Sequence, residues 1–210
     1  MRVVAGEAKG RKLKSPKTPG TRPIIDRVKT ALFDILSTRI RDTRFLDLFA
    51  GTGGVGIEAL SRGAAFATFI EMNGSVLKLV RENLGITGLL ARAETIRADA
   101  FKFLQAHTTP NHMATARVPR SSAPYDIIYV APPQYQKLAA HALEMLDSSP
   151  LVADTGLVIV QVHPKEREDV QAVPLARLLL RDERRYGSTL LLFYEVKREK
   201  SIDVDTTTTS

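Results

Sequence analysis

Residues 45–56 read Phe-Leu-Asp-Leu-Phe-Ala-Gly-Thr-Gly-Gly-Val-Gly, and this stretch decides the fold of the chain. It begins as a short apolar run and ends in glycines, and residues 57–60 continue as a helical pattern. Gly51, Gly53 and Gly56 allow the backbone to turn sharply and to approach a ligand closely. The free N–H groups at the start of a helix point toward such a ligand. The stretch therefore predicts a strand, a tight turn and a helix, with a ligand at the turn.

Two acidic residues narrow the class of ligand. The Gly-x-Gly-x-x-Gly pattern alone fits a dinucleotide-binding turn, and it also fits a glycine turn with no ligand. A dinucleotide-binding strand stays apolar up to its first glycine, whereas Asp47 lies four residues before Gly51. A carboxylate there suits a ligand with a cationic amine, such as S-adenosylmethionine. Glu71 ends the next apolar run, where an acidic residue can hold ribose hydroxyls or can simply be a solvated strand end.

The composition indicates a globular protein with one main domain. The 210 residues are 44% hydrophobic and 25% charged, and no apolar run approaches the ~20 residues of a membrane span. The start, Met-Arg-Val-Val-Ala-Gly-Glu, does not resemble a signal peptide. The absence of cysteine excludes disulfides and thiolate metal sites, so we expect a cytoplasmic protein without a metal.

The net charge of +7 is concentrated at the N-terminus. Residues 1–29 carry only two acids, Glu7 and Asp26. Their nine basic side chains are Arg2, Lys9, Arg11, Lys12, Lys14, Lys17, Arg22, Arg27 and Lys29. Such a concentration predicts contact with a polyanion, although a solvated basic terminus has the same pattern.

Strand and helix patterns alternate along most of the chain. Helices are predicted from Asp26 to about residue 40 and over 55–62, 75–84, 100–105 and 138–146. Strands are predicted over 45–49, 66–71, 94–98, 125–130, 156–162, 175–181 and 189–196. This order predicts an α/β fold with a mostly parallel seven-stranded sheet and helices on both faces.

Three other segments lie outside this alternation. Residues 2–14 predict a small β-hairpin, and the proline-rich residues 15–23 predict a linker. Residues 108–124 predict a mobile loop beside the site. We therefore divide the chain into a basic N-terminal arm (1–21), a main domain (22–197) and a disordered tail (198–210).

Several separated stretches together resemble one family. They are Arg2-Val3-Val4-Ala5-Gly6, Lys9-Gly10-Arg11-Lys12-Leu13, Arg22-Pro23 with Asp26-Arg27-Val28-Lys29, Asp47 to Gly53, Glu58 to Ala64, Glu71, Asp99-Ala100-Phe101 and Arg185-Tyr186-Gly187. They resemble the RsmD family of bacterial 16S ribosomal RNA guanine-N2 methyltransferases, over roughly residues 2–196. The resemblance implies the Rossmann-like fold of class I methyltransferases, with the N-terminal hairpin as an extension.

The resemblance also implies a cofactor site and an RNA site. S-adenosylmethionine would be bound by Asp47, Phe49, Gly51, Gly53, Glu71, Met72, Asp99 and Ala100. Asp47 would lie near the methionine amine, Glu71 at the ribose, Asp99 at the adenine amine and Ala100 along the ring. Asp99 also fits a helix N-cap, and one residue can do both. The RNA would be bound by Arg2, Arg11, Lys12, Lys14, Arg22 and Arg27.

The catalytic motif departs from the family pattern. Relatives carry Asp or Asn, then Pro-Pro, then Phe or Tyr, whereas this chain reads Ala131-Pro132-Pro133-Gln134-Tyr135. The exocyclic amine of guanine is a poor nucleophile, and hydrogen-bond acceptors on its N–H groups orient it and ease the build-up of charge. Ala131 has no side-chain oxygen, so the carbonyls of Ala131 and Pro132 remain as acceptors.

Neighbouring residues provide partial substitutes. Asp126 lies five residues upstream, about 16 Å away in a strand, and cannot reach. Gln134 has an amide oxygen, and Tyr135 can stack on a flipped base. Gln161 is a second departure, because relatives usually have Glu at this position.

Three functions are compatible with these residues. The resemblance implies methyl transfer to N2 of a guanine in 16S rRNA, guanine 966 of that RNA, during small-subunit assembly. The partner would be 16S rRNA or a part-assembled small subunit, with no membrane, and the enzyme would be a monomer. An alternative is a catalytically impaired RNA-binding protein that lost turnover through Ala131. A nicotinamide-dependent oxidoreductase is the third, and Asp47 and the Pro-Pro turn argue against it.

Overall fold

The computed structural model describes residues 1–15, 26–107 and 124–197. The strands are β1 (Arg44–Asp47), β2 (Phe66–Glu71), β3 (Ala93–Arg97), β4 (Tyr125–Val130), β5 (Val152–Val162), β6 (Leu178–Tyr186) and β7 (Thr189–Val196). The helices are α1 (Asp26–Leu36), α2 (Gly54–Ser61), α3 (Gly74–Thr87), α4 (Ala100–Ala106), α5 (Leu138–Asp147) and α6 (Arg167–Gln171).

All seven strands form one sheet in the order β3-β2-β1-β4-β5-β7-β6. The first five strands are mutually parallel, and β7 pairs antiparallel with both β5 and β6. The predicted mostly parallel seven-stranded sheet is therefore confirmed. The strand order reverses between β1 and β4, and in open α/β sheets ligands bind at the carboxyl ends of the strands beside such a reversal.

Helices cover both faces of the sheet. On one face the core includes Leu32 of α1, Ile57 of α2 and Val80 of α3. On the other face it includes Leu104 of α4 and Leu143 of α5. Side chains of β4 alternate between these two cores, as the two-residue period of a strand requires.

The N-terminal segment, residues 1–15, folds against this core. Its ends meet at a single bridge between Arg2 and Lys12, and the Val3 N–H donates to the Arg11 carbonyl at 3.0 Å. The predicted hairpin is thus a closed turn rather than a pair of regular strands. Val3, Ala8 and Leu13 are buried in the same core as α1 and α2. Apolar burial therefore joins the segment to the main domain.

Some element boundaries differ from the predictions. β5 begins at Val152, four residues before the predicted start, and α1 ends at Leu36 and continues as a 3₁₀ turn over Ser37–Ile40. β6 extends to Tyr186 through a charged sequence, because an edge strand can expose charged side chains. Helix α6 was not predicted, since it has only five residues. The linker predicted over 15–23 and the loop predicted over 108–124 lie outside the described residues except for residues 15 and 124, and the tail predicted over 198–210 lies wholly outside them. No helix among the described residues is long and apolar enough to cross a membrane.

Candidate active site

A cavity of about 420 Å³ opens at the carboxyl ends of the central strands, beside the glycine turn. This is a typical volume for a small-molecule site. Seven of the eight predicted cofactor residues line it: Asp47, Phe49, Gly51, Glu71, Met72, Asp99 and Ala100. The first four residues of the predicted catalytic turn also line it: Ala131, Pro132, Pro133 and Gln134. The fold thus brings together two groups that are far apart in the sequence.

The glycine turn shapes one wall of the cavity. Gly51 and Gly53 have positive φ angles of 52° and 76°, which glycine adopts readily. Gly53 does not line the cavity. It precedes α2, and a Cβ there would lie 3.0 Å from Val80 and 3.3 Å from Ile57. Gly53 therefore shapes the turn, whereas Gly51 borders the cavity.

Asp47 is a buried carboxyl group at the cavity floor, with 2% of its surface exposed. Burial raises its pKa to about 7, and the negative charge of Glu71 adds to this shift. The Gly56 N–H donates to Oδ2 at 3.1 Å and opposes the shift. An ionised Asp47 is costly without a cation beside it. The site therefore favours a ligand that brings a positive charge to this carboxylate.

Glu71 and Asp99 both hold backbone N–H groups. Glu71 Oε2 accepts from the Gly51 N–H at 3.0 Å, and Oε1 accepts from the Asn73 N–H at 2.8 Å. Asp99 Oδ1 caps α4 by accepting the N–H groups of Phe101 and Lys102, both at 3.0 Å. The N-cap predicted for Asp99 is present, and no hydrogen bond in the described part of the chain occupies Oδ2, which can therefore accept from a ligand.

The charge of the cavity is negative. Its lining includes three carboxylates, and no lysine or arginine side chain lies among the lining residues that the structure describes. A cationic ligand complements such a site, whereas the pyrophosphate of a dinucleotide would face the carboxylates unpaired. The donor set thus fits S-adenosylmethionine, which carries an ammonium and a sulfonium, better than a nicotinamide cofactor.

The Pro-Pro turn forms the opposite wall. Ala131 is half-buried and Pro132 is buried, and both border the cavity. Asp126 lies at the other end of β4, where its Oδ2 accepts the Arg44 N–H at 2.8 Å. This position agrees with the expectation that Asp126 cannot act for Ala131.

Tyr135 lies outside the cavity, and this changes the role predicted for it. Its side chain is 63% exposed, its φ is +64°, and its ring faces the His163 ring at a centroid distance of 5.3 Å. The Tyr135 N–H donates to Glu166 Oε1 at 2.9 Å. Stacking on a base held inside the cavity does not fit this position.

Met1, Tyr129 and Gln161 are among the lining residues that were not predicted as site residues. Tyr129 is buried on β4, and its hydroxyl donates to Gln161 Oε1 on β5 at 2.5 Å. Met1 packs over the glycine turn, where a Cβ on Gly54 would lie 2.6 Å from its Sδ. Tyr129 could have been found from the sequence, because it lies two residues before Ala131 on the same face of a predicted strand. No pattern in the sequence indicates that Met1 lines the cavity.

The predicted RNA-binding residues are distributed unevenly. Arg11, Lys12 and Arg27 are exposed. Arg2 is exposed and lies 3.5 Å from the Asp26 carboxylate, and Lys14 pairs with Glu82 at 2.8 Å. Arg22 lies outside the described residues. Lys29, which contributed to the basic count of this segment, is fully buried and is therefore not available to RNA.

Comparison with known proteins shows which family the chain resembles. A family model described as "Conserved hypothetical protein 95" matches residues 1–195. The chain is 33% identical over 205 residues to "Ribosomal RNA small subunit methyltransferase D" of Escherichia coli (strain K12), covering 98% of this chain and 94% of that one. It is 32% identical over 164 residues to the protein of the same name from Haemophilus influenzae, covering 78% and 79% of the two chains.

Solved structures show the same fold. A hypothetical protein from Thermus thermophilus is 31% identical, with a TM-score of 0.72 over 93% of this chain and 99% of that one. An RNA methyltransferase from Salinibacter ruber, solved in complex with S-adenosyl-L-homocysteine, is 13% identical and has a TM-score of 0.60 over 88% and 99% of the chains. The fold predicted from the glycine turn is the fold of these solved structures. The family match and the identity over nearly the whole chain place the protein in the RsmD family of ribosomal RNA small subunit methyltransferases.

Proposed function

We propose that this protein transfers a methyl group from S-adenosylmethionine to the exocyclic N2 of a guanine in 16S rRNA. One observation carries the proposal: a single cavity is bordered by the glycine turn, three carboxylates and the Pro-Pro turn. The carboxylates suit a cationic cofactor, and the Pro-Pro turn offers carbonyl oxygens to an amine. The names of the relatives, which are small-subunit ribosomal RNA methyltransferases, support this class of substrate.

The cofactor would lie along the carboxyl ends of β1, β2 and β3. Asp47 would pair with its ammonium group, which relieves the cost of an ionised carboxylate in a buried position. Glu71 would accept hydrogen bonds from the ribose hydroxyls. Asp99 would accept from the adenine amine through Oδ2, since Oδ1 already caps α4. The bound cofactor supplies an electrophilic methyl group on a sulfonium.

The Pro-Pro turn would orient the target amine. A carbonyl of Ala131 or Pro132 would accept one of its two N–H groups, and a second acceptor on the same wall would take the other, which holds the nitrogen in line with the methyl group. A new N–C bond forms, the C–S bond breaks with its electron pair left on sulfur, and one amine proton passes to water. Because a proline ring fixes φ, Pro132 and Pro133 keep these carbonyls in place although Ala131 replaces the acidic or amide residue of relatives.

The RNA would reach the site across the N-terminal segment. Arg11, Lys12 and Arg27 are exposed, and no ion pair within the described residues occupies them, so they can contact phosphates. The partner would be 16S rRNA or a part-assembled small subunit. The protein itself would bind it as a cytoplasmic monomer.

Tritium transfer tests the proposal. The wild-type protein and an Asp47→Ala control are incubated with tritiated S-adenosylmethionine and either unmethylated small-subunit particles or bare 16S rRNA. Digestion to nucleosides should then release label as N2-methylguanosine with the wild type and much less with the control. Label in another nucleoside would contradict the proposal, and no label with either RNA would point to the inert RNA-binding alternative.

A further inference from the structure

A pair of polar side chains lies on the cavity wall next to Ala131, where the family's acidic or amide side chain is missing. The Tyr129 hydroxyl donates to Gln161 Oε1 at 2.5 Å, and both residues line the cavity with Ala131. Tyr129 lies two residues before Ala131, so both side chains emerge on the same face of the sheet, ~7 Å apart along the strand. No described hydrogen bond gives this hydroxyl a second protein partner, and Tyr129 is one of the residues that line the cavity.

We propose that the Tyr129 hydroxyl oxygen accepts one N–H of the target amine and replaces the side-chain acceptor that Ala131 lacks. The inference rests on the proposed function and assigns a catalytic residue specific to this chain. A tyrosine hydroxyl has one donor hydrogen and can also accept. Its donor is directed to Gln161, so its lone pairs remain for the amine. Donation to Gln161 also polarises the hydroxyl and strengthens it as an acceptor.

The surroundings of Tyr129 keep its hydroxyl protonated and directed toward Gln161. Burial raises the pKa of Tyr129 well above its usual value, and the nearby Asp47 carboxylate raises it further, so the phenol stays protonated. Gln161 is a positioning residue, because its Oε1 accepts the hydrogen bond from the phenol O–H and so directs the lone pairs of the hydroxyl oxygen away from β5. An amide is neutral, so it fixes the hydroxyl without adding a fourth carboxylate to the cavity.

A double-mutant cycle tests the inference with turnover on small-subunit RNA at saturating S-adenosylmethionine. Tyr129→Phe should lower kcat roughly 10- to 100-fold, on the scale of one lost transition-state hydrogen bond. Ala131→Asn restores a side-chain acceptor, so Tyr129→Phe should cost less than about threefold in that background. Gln161→Leu should lower kcat, and Gln161→Glu, which keeps an acceptor for the phenol, should recover most of it.

Tyr125→Phe is the matched control. Tyr125 is buried at the start of the same strand, and its hydroxyl donates to Thr68 Oγ1 at 2.9 Å, away from the cavity. This variant loses a buried hydroxyl but should keep wild-type kcat. Equal effects of the two tyrosine variants, or the same effect of Tyr129→Phe with and without Ala131→Asn, would show a structural role and overturn the inference.

Two further readouts separate the inference from the proposed function. If Tyr129→Phe weakens S-adenosylhomocysteine binding in calorimetry and leaves kcat at saturation unchanged, the hydroxyl serves the cofactor and the inference is wrong, while the proposed function stands. If the wild type methylates neither RNA form, the proposed function itself fails. Thermal unfolding of each variant confirms that kcat values refer to folded protein.

Discussion

Lys29 and Glu58 form a fully buried ion pair, with 3.2 Å between Nζ and Oε2, at the junction of α1, α2 and the N-terminal segment. Glu58 also accepts the N–H groups of Val4 and Ala5 at 2.8 and 2.9 Å. Lys29 Nζ in turn donates to the Arg2 carbonyl at 2.5 Å. The backbone of the segment is thus held by one carboxylate and one ammonium. This places its exposed basic side chains at a set position relative to the helix that follows the glycine turn.

Breaking this pair should destabilise the whole protein. Lys29→Met leaves Glu58 buried with one cationic partner fewer and should cost about 3–5 kcal/mol in the free energy of unfolding. Urea denaturation followed by circular dichroism measures the loss. Lys78→Met removes an exposed lysine from α3 and should stay within about 0.5 kcal/mol of the wild type. The double variant Lys29→Met with Glu58→Gln should recover part of the lost stability. An equal loss of stability in Lys29→Met and Lys78→Met would show that the buried pair contributes nothing.

Cofactor binding should depend on pH through Asp47. Its pKa of about 7 in the free protein means that an ammonium ligand binds with release of a proton below this pH. The affinity for S-adenosylhomocysteine should therefore rise by up to about tenfold per pH unit from pH 5 to 7 and level off above pH 8. Asp47→Asn should abolish this slope and weaken binding by ~1–3 kcal/mol at pH 8. A slope that persists in Asp47→Asn would assign the titration to another group.

Asp47→Asn, which should weaken cofactor binding, should make the ligand-free folded protein more stable at high pH. The folded pKa of Asp47 is raised from 3.8 to about 7, so the folded state binds this proton more tightly than the unfolded state. The resulting stability is present below pH 3.8 and is lost as the pH rises through 7. Without ligand, Asp47→Asn should therefore melt at a higher temperature than the wild type at pH 8. Equal melting temperatures at pH 8 would contradict the raised pKa.

Neutralising the exposed arginine and lysine of the N-terminal segment should weaken RNA binding selectively. Arg11→Gln with Lys12→Gln should reduce the slope of log K against log salt by ~0.7–0.9 for each phosphate contact that is lost. Cofactor affinity should not change, because both side chains are exposed and neither lines the cavity. The control is Arg39→Gln with Arg41→Gln, which removes the same amount of charge. These two residues precede β1 and lie at the end of the strand away from the cavity. Equal salt slopes for the two double variants would remove the segment from the RNA site.

Glu166 should control turnover through the Pro-Pro turn. Its two carboxylate oxygens accept the N–H groups of Tyr135 and His163, at 2.9 and 3.2 Å, and so tie the turn to the end of β5. Glu166→Ala should release the turn and lower kcat on RNA by up to ~10²-fold, since small displacements of reacting groups have effects of this size. S-adenosylhomocysteine affinity should stay the same. Asp169→Asn, which breaks the exposed pair with Lys137, is the control and should keep kcat; a similar loss in both would argue against a specific role for Glu166.

The sequence by itself was sufficient for the sheet and for about half of the cavity lining. The glycine turn after residues 45–49 is a local pattern, and backbone sterics near glycine leave few alternatives. Asp47, Glu71 and Asp99 each end or follow an apolar run, and parallel strands present their carboxyl ends at one edge. These three carboxylates therefore meet in the structure as the order of strands and helices predicted.

The tertiary structure decided what depends on distant partners. Lys29 has the sequence context of a surface lysine, yet it is buried because Glu58 lies opposite it in the fold. Tyr135 follows the catalytic turn, yet the bond from its N–H to Glu166, 31 residues away, places it outside the cavity. Tyr129 and Gln161 form their pair only because β4 and β5 are neighbours in the sheet. Local periodicity carries no information on such contacts, since it reports which face a side chain occupies and not which residue meets it there.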